Sequence, residues 1–403
     1  MLKTFFVYSC LFSAFSFAVT PAPIVQIRLF EIFHLRSVEI NSTAGSSIRN
    51  LTAAELKNAD FLNISSAQNA FSDISKSWIQ ITLAGSYLKL QAAGLNRSLT
   101  LTDTINIAAT GAYFFMAIPN SKSFASRPYS GALKIYADGN ELCIINLAPL
   151  DDYLAGVIAA EMPQAELAAL QAQAVAARTY TIKNWQRHQT RGYQFCDLTH
   201  CQTYKGSDGV TEKITQAVAG TKNEILTFDR QPIAAYYSST CGGHTADDAD
   251  VWATEENQSY LESVADDFCA DSPHYRWRVK LSADSLHQIW QQRLGESLTS
   301  ISITKRGAND RVRELAMMGS SLHLISGEDF RAVTCRELGW NTIKSTVFDL
   351  RFEKNTYVFD GRGLGHGLGL CQYGAMAMAR NGHGYQKILK RYFPGTMIRN
   401  FQE

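Results

Sequence analysis

Glu161 closes the run Tyr153-Leu154-Ala155-Gly156-Val157-Ile158-Ala159-Ala160-Glu161-Met162-Pro163, a mostly apolar stretch that ends on a single carboxylate. Pro149 opens a helix from Leu150, with Asp151 and Asp152 in its first turn where negative charge suits the helix dipole. Pro163 disfavours helical geometry in the residue before it, so the helix is predicted to stop near Met162. Glu161 then lies in the last turn, where unpaired carbonyls oppose an ionised carboxylate. A carboxyl group that keeps its proton is what a general acid needs to donate to a glycosidic oxygen. An ordinary exposed glutamate at a helix end has the same spacing, and the local pattern does not separate the two.

Other groups have chemistry of their own. Cys196 and Cys201, with His188 upstream and His200 adjacent, are soft donors suited to zinc, or else a disulfide pair if the chain is exported. Arg178 stands among alanines, where a guanidinium must be paired, so it faces either a cleft or a structural carboxylate. Ser238-Ser239-Thr240-Cys241-Gly242-Gly243-His244-Thr245 follows an apolar strand and makes either a ligand-approaching polar loop or a simple turn. The segment Gly361 to Ala375 sets His366 among glycines, either approachable by substrate or in a flexible surface loop. Its glycine spacing lacks the strand–helix–strand context and the acidic ribose partner of a dinucleotide site, which excludes nucleotide binding.

The elements that must position these residues read as α+β, a mixed sheet with packed helices. A second helix from Glu166 to about Arg187 is dense in alanine, the best helix former, and its small residues let other elements come close. Gly131 to Asn146 alternates apolar and polar around Asp138-Gly139, a hairpin signal that starts the main sheet. Glu224 to Phe228, Pro232 to Ser238, Tyr275 to Leu281 and Thr299 to Lys305 read as strands. Ala283 to Gln292, Gln372 to about Arg380 and Tyr385 to Tyr392 read as helices. Residues 19–100 are β-rich but irregular, and are expected to form a small separate region ahead of a main domain over 101–403.

With 38 Lys and Arg against 37 Asp and Glu, the chain has no net field for a polyanion, which argues against nucleic acid as a partner. Lys3, the apolar run Phe5 to Phe17 and the small residues Ser16 and Ala18 follow the order of a secretory signal peptide over residues 1–18, so export is expected. The run is shorter than the roughly 20 residues that span a bilayer. Beyond Cys10, the cysteines are Cys143, Cys196, Cys201, Cys241, Cys269, Cys335 and Cys371, an odd set, so at least one thiol is unpaired or metal-bound.

Taken in order, Arg127-Pro128-Tyr129-Ser130-Gly131, Tyr153 to Pro163, Ala177-Arg178-Thr179-Tyr180, Thr199 to Tyr204, Ser239 to Thr245 and Gly361 to Ala375 resemble the stage II sporulation protein D family, which includes amidase enhancers. The likeness spans roughly residues 125 to 397. It implies an exported peptidoglycan lytic transglycosylase of the periplasm or cell-wall space. Such an enzyme cuts the bond between N-acetylmuramic acid and N-acetylglucosamine, generally on peptide-stripped glycan strands, and leaves anhydro-muramic ends. Glu161 matches the family's catalytic glutamate. No second enzyme carboxylate is required, because the attacking hydroxyl belongs to the substrate.

The resemblance further implies substrate contacts at Arg178, Tyr204, Ser239, His366 and Gln372. It also implies a structural zinc on Cys196 and Cys201, with His188 favoured over His200 as third ligand because His200 can point toward the cleft. The alternative it carries is a non-catalytic glycan-binding enhancer of an N-acetylmuramoyl-alanine amidase. A zinc hydrolase using His200, His244 or His366 is a third reading, and it needs a metal with an open position. Cys241 and Cys371 depart from the family's usual serine, so their loops hold either a disulfide or merely a small side chain.

Overall fold

The computed structural model describes residues 23–43, 48–50, 77–93, 98–102, 104–109, 113–118, 126–251 and 258–402. The expected signal segment and Cys10 lie outside the described residues. Among those that are described, no helix is long and apolar enough to cross a membrane.

The class is α+β, as the sequence indicates. Glu141–Pro149 is a central strand buried along almost its whole length. It forms a hairpin with Ala132–Asp138 through Gly139 and Asn140, and on its other side it takes Ile24–Leu29 antiparallel. The sheet continues to Phe195–Cys196 beyond Ile24–Leu29, and to Ile105–Ala109 and Ile48–Asn50 beyond the hairpin. A second six-stranded antiparallel sheet runs Leu99–Leu101, Tyr87–Ala92, Trp78–Ala84, Ser37–Ser42, Phe114–Ala117, Arg127–Tyr129. Its strands alternate buried and open residues, and Ile79, Ile81, Leu83, Leu88 and Leu90 turn into the same core as Val25, Ile27 and Ile144.

The strands expected to form a separate region over 19–100 are divided between the two sheets: Ile24–Leu29 and Ile48–Asn50 join the main sheet, while Ser37–Ser42, Trp78–Ala84 and Tyr87–Ala92 lie in the second sheet and share its core. A strand's own residues specify that it is extended and which face is apolar, but not which distant strand will satisfy its backbone.

Two helices follow the central strand. Leu150–Glu161 starts directly after Pro149, and the alanine-rich helix Leu167–Lys183 packs against it. That second helix also meets Glu212–Gly220, Gln372–Arg380, Tyr385–Tyr392 and the strand Glu224–Phe228, so Ala169 to Thr181 are buried except Gln171. Its alanines bury little area each, but they let several neighbours approach one rod. It ends at Lys183, short of Arg187, because Asn184 turns back and its Nδ2 donates to the Tyr180 carbonyl at 2.9 Å.

The expected strand Pro232 to Ser238 forms only at its two ends, Gln231–Pro232 and Tyr237–Ser238. Between them the amides of Ala235 and Tyr236 donate two residues back, to the carbonyls of Ile233 and Ala234, so the chain coils while its apolar side chains stay buried.

Between the Ser239 loop and the glycine-rich segment, the chain makes a lobe with its own core. Trp277 and Gly361 are paired partners, so the lobe leaves and re-enters the body side by side. Its two three-stranded sheets and the helices Ala283–Leu294 and Gly327–Leu338 enclose Trp290, Phe330, Phe348, Tyr357 and Phe359.

Candidate active site

Glu161 is the last residue of its helix and is half-buried. One turn and a half earlier, Gly156 has no room for a side chain: a Cβ there would lie 2.2 Å from the Gly206 carbonyl oxygen and 2.7 Å from the Tyr204 ring. The segment Gln202 to Gly206 therefore lies directly on this helix. That contact brings the Thr203 amide to Glu161 Oε1 at 3.0 Å. From the other side Gln372, the first residue of its helix, directs Nε2 to Glu161 Oε2 at 3.4 Å. Two uncharged donors from two separate segments thus orient one carboxyl group.

The surroundings hold this arrangement. Gln202 is buried and donates through Nε2 to Tyr153 Oη at 3.1 Å and Thr181 Oγ1 at 2.9 Å, while its Oε1 accepts from Tyr237 Oη at 2.8 Å. Burial, and then the charge of Glu161, push the Tyr237 phenol well above its ordinary range, so it stays a donor. Tyr237–Ser238 pairs in parallel with Leu370–Cys371, and the Ser239 carbonyl accepts from the Tyr373 amide at 3.1 Å. Ser239 and Gln372 are consequently neighbours on adjoining segments. Gln202 and Tyr237 carried no functional signal of their own in the sequence; Gln202 lay inside the Thr199 to Tyr204 block.

A second group of side chains forms at the end of the alanine-rich helix. His188 Nε2 lies 3.3 Å from Cys201 Sγ, and His200 Nδ1 lies 3.7 Å from Cys196 Sγ and 3.6 Å from Cys201 Sγ. All four donor atoms fall within 4.8 Å of one another. Cys196 is held by the pairing of its short strand with Ile24–Leu29. A hydrogen bond from Cys201 pushes the Cys196 thiol down to about 5, whereas the Cys201 thiol is pushed up by the same bond. Burial pushes His188 down, toward the neutral imidazole that ligates metals. Two sulfurs and two nitrogens at this spacing fit a tetrahedral zinc. His200, which the sequence directed toward the cleft, faces both sulfurs.

The profile of a family described as stage II sporulation protein matches residues 138–228, and a domain of unknown function matches residues 256–369. The chain is 32% identical over 287 residues to stage II sporulation protein D of Bacillus subtilis, covering 66% of this chain and 78% of that protein. The chain belongs to the stage II sporulation protein D family. The Bacillus amyloliquefaciens member is 34% identical over 266 residues, covering 62% of this chain and 74% of that protein. A relative named amidase enhancer, from Bacillus subtilis, is 29% identical over 291 residues, 62% of this chain and 40% of that longer protein. The family segment 138–228 contains Glu161, Thr203 and the Cys196 and Cys201 pair, whereas Gln372 comes from beyond it.

Of the residues that the family resemblance assigned to substrate, Arg178 and Tyr204 have their polar atoms engaged within the protein, while His366 packs against Tyr236, next to Tyr237. Arg178 is fully buried, and its guanidinium donates to the carbonyls of Thr221 at 2.8 Å, Glu224 at 3.2 Å and Val218 at 3.3 Å, with Asp151 Oδ1 at 3.8 Å. It satisfies the end of helix Glu212–Gly220, whose last carbonyls have no partner within the helix. Tyr204 is buried against Tyr129 and Tyr153 and donates to Asn146 Oδ1 at 2.8 Å, leaving its hydroxyl engaged in the core. His366 accepts from the Leu368 amide through Nδ1 at 3.0 Å and packs edge-on against Tyr236. Burial first, then Arg331 and Arg311, push His366 down to about 3. The glycines around it make a tight fold of chain: a Cβ on Gly367 would lie 2.0 Å from Arg311 Nη2.

Proposed function

We propose that this protein is a peptidoglycan lytic transglycosylase, exported to the periplasm or cell-wall space, in which Glu161 is the sole acid and base. The observation that carries the reading is the orientation of one half-buried carboxyl group by Thr203 N and Gln372 Nε2. In this reading Glu161 gives its proton to the bridging oxygen as the bond from the muramic anomeric carbon to that oxygen breaks. Glu161 then takes a proton from the 6-hydroxyl of the same muramic residue as that oxygen bonds to the anomeric carbon. The products are an anhydro-muramic end and a free N-acetylglucosamine hydroxyl, and the proton returns to Glu161 with no water consumed. In this reading Ser239 and Gln372 contact the glycan beside the carboxyl group. His188, Cys196, His200 and Cys201 would hold zinc as a four-ligand structural site, since the chemistry asks for no Lewis acid.

The relative named amidase enhancer favours one competing reading, a scaffold that binds glycan and stimulates an N-acetylmuramoyl-alanine amidase. Mass spectrometry of peptide-stripped glycan strands separates the two. Wild-type protein is expected to release anhydro-muramic products, and Glu161→Gln to release them about 10²–10⁴-fold more slowly with an unchanged melting temperature. Equal product from both proteins, or none from either with glycan still bound, would sink the transglycosylase reading.

A further inference from the structure

A buried cluster outside the Glu161 site has no part in acid–base chemistry. Cys241 lies in the loop after Tyr237–Ser238, Asp266 caps the short helical turn Asp267–Asp271, Cys269 lies within that turn, and Cys371 caps helix Gln372–Arg380. Three segments distant in sequence thus converge on one point. Cys241 Sγ is 3.1 Å from Asp266 Oδ2 and 3.5 Å from Cys269 Sγ, and the Cys241 amide donates to Cys371 Sγ at 3.3 Å. The four ligand atoms lie within 4.8 Å of one another, and none of the four residues is more than 2% exposed.

We propose that Cys241, Asp266, Cys269 and Cys371 form a second, closed metal site for zinc or a cation of like softness. Three sulfurs and one carboxylate oxygen are a complete tetrahedral donor set. Two thiolates on one zinc lie about 3.8 Å apart, given Zn–S bonds of about 2.3 Å. The observed 3.5 Å between Cys241 and Cys269 is near that edge and far from the roughly 2.0 Å of a disulfide. A disulfide would also strand the third sulfur and leave a carboxylate buried without a cation. Phe268 N and Cys241 Sγ donate to Asp266, and neither brings positive charge. Arg391 directs Nη2 to the Ala265 carbonyl instead. An ion removes the burial penalty that three thiols and a carboxylate otherwise carry.

The backbone is shaped for such a site. Gly242 and Gly243 take positive φ, and the Gly243 carbonyl accepts from the Asp266 amide at 2.8 Å, which folds the Cys241 loop onto the turn that carries Cys269. The consequence for the body is mechanical: the ion ties the Ser239 loop to the turn at Cys269 and to the start of the Gln372 helix, one residue from the side chain that meets Glu161. The inference does not depend on the reading of Glu161.

Metal analysis of the full chain, purified with reductant, tests it. The wild type is expected to hold about two zinc ions per chain. Cys196→Ser removes one and Cys269→Ser removes the other, each leaving its counterpart in place. Anaerobic cobalt titration of the wild type guards against a variant that fails to fold: two phases are expected, with thiolate-to-cobalt absorption for two sulfurs in one and three in the other. A wild type that holds one zinc, lost with Cys196→Ser and unaffected by Cys269→Ser, or a Cys241–Cys269 disulfide peptide recovered from thiol-blocked protein, would overturn the proposal.

Discussion

The helices around Glu161 and the lobe Trp277–Gly361 make their closest contacts by different means. In the body, alanines and glycines bring backbones into contact, so that Gly156 meets Gly206 and the Thr203 amide arrives at Glu161. In the lobe, rings fill the space: Trp290 stacks on Phe330 at 5.9 Å, Phe330 on Phe359 at 5.9 Å, and Phe348 meets Phe359 edge-on at 5.3 Å. Thin side chains transmit small displacements straight to the backbone, whereas a ring cluster absorbs them by repacking. The catalytic candidate sits where the tolerance is smallest. The lobe meets the body through particular contacts instead, such as Trp277 Nε1 on the Gly363 carbonyl, the Arg313 to Asp250 pair and Arg311 beneath Gly367.

Trp290→Ala should separate the two regions most strongly. It is expected to remove about 3–5 kcal/mol from the lobe core, seen in calorimetry as an early transition with the body's transition unmoved. A single transition shifting as a whole would show that the two cores melt as one.

Arg178→Met strikes the body instead. The loss of its three carbonyl contacts is expected to lower stability by about 3 kcal/mol, while product release per folded molecule holds. A rise in KM with stability intact would return Arg178 to the substrate.

Gly156→Ala probes the close approach itself. An added methyl group is expected to lower stability by about 1–3 kcal/mol, and to slow product release more than that loss of folded protein explains. Equal losses in both would mean that the Thr203 contact does not position Glu161.

The smallest effect lies at the seam. His366 is held neutral in the folded protein, below the value of about 6.5 it has in an unfolded chain. As pH falls below that value the unfolded chain takes the proton first, so stability is full above it and declines toward about 3, by at most about 1.4 kcal/mol per unit. His366→Gln should show a flatter stability profile between pH 6.5 and 5 in chemical denaturation, and parallel profiles would show that His366 takes up its proton alike in the folded and unfolded states.

Much of the fold was legible locally. Glu224–Phe228, Gln372–Arg380 and Tyr385–Tyr392 form over the predicted spans, because periodicity and terminal residues act within one element. Gln372 was named from its motif and does meet Glu161, and His188 does meet Cys201. Arg178 and Tyr204 were read toward substrate and meet the protein itself in the structure, for one shared reason: a polar group in an apolar stretch must find a partner, but the stretch does not say whether that partner is a ligand or another part of the chain.

The residue types by themselves determined that Glu161 ends a helix, that Cys196 and Cys201 are soft donors, and that the alanine-rich helix would be buried. Those follow from proline geometry, ligand chemistry and helix propensity, all of which act over a few residues. Only the tertiary structure decided that the strand at Ile24–Leu29 completes the main sheet. It also decided that His200 turns to the sulfurs and that Asp266 and Cys269 join Cys241 and Cys371. Each of these is a meeting of segments far apart in the chain, and such meetings are selected by the closure of a whole core rather than by any local pattern.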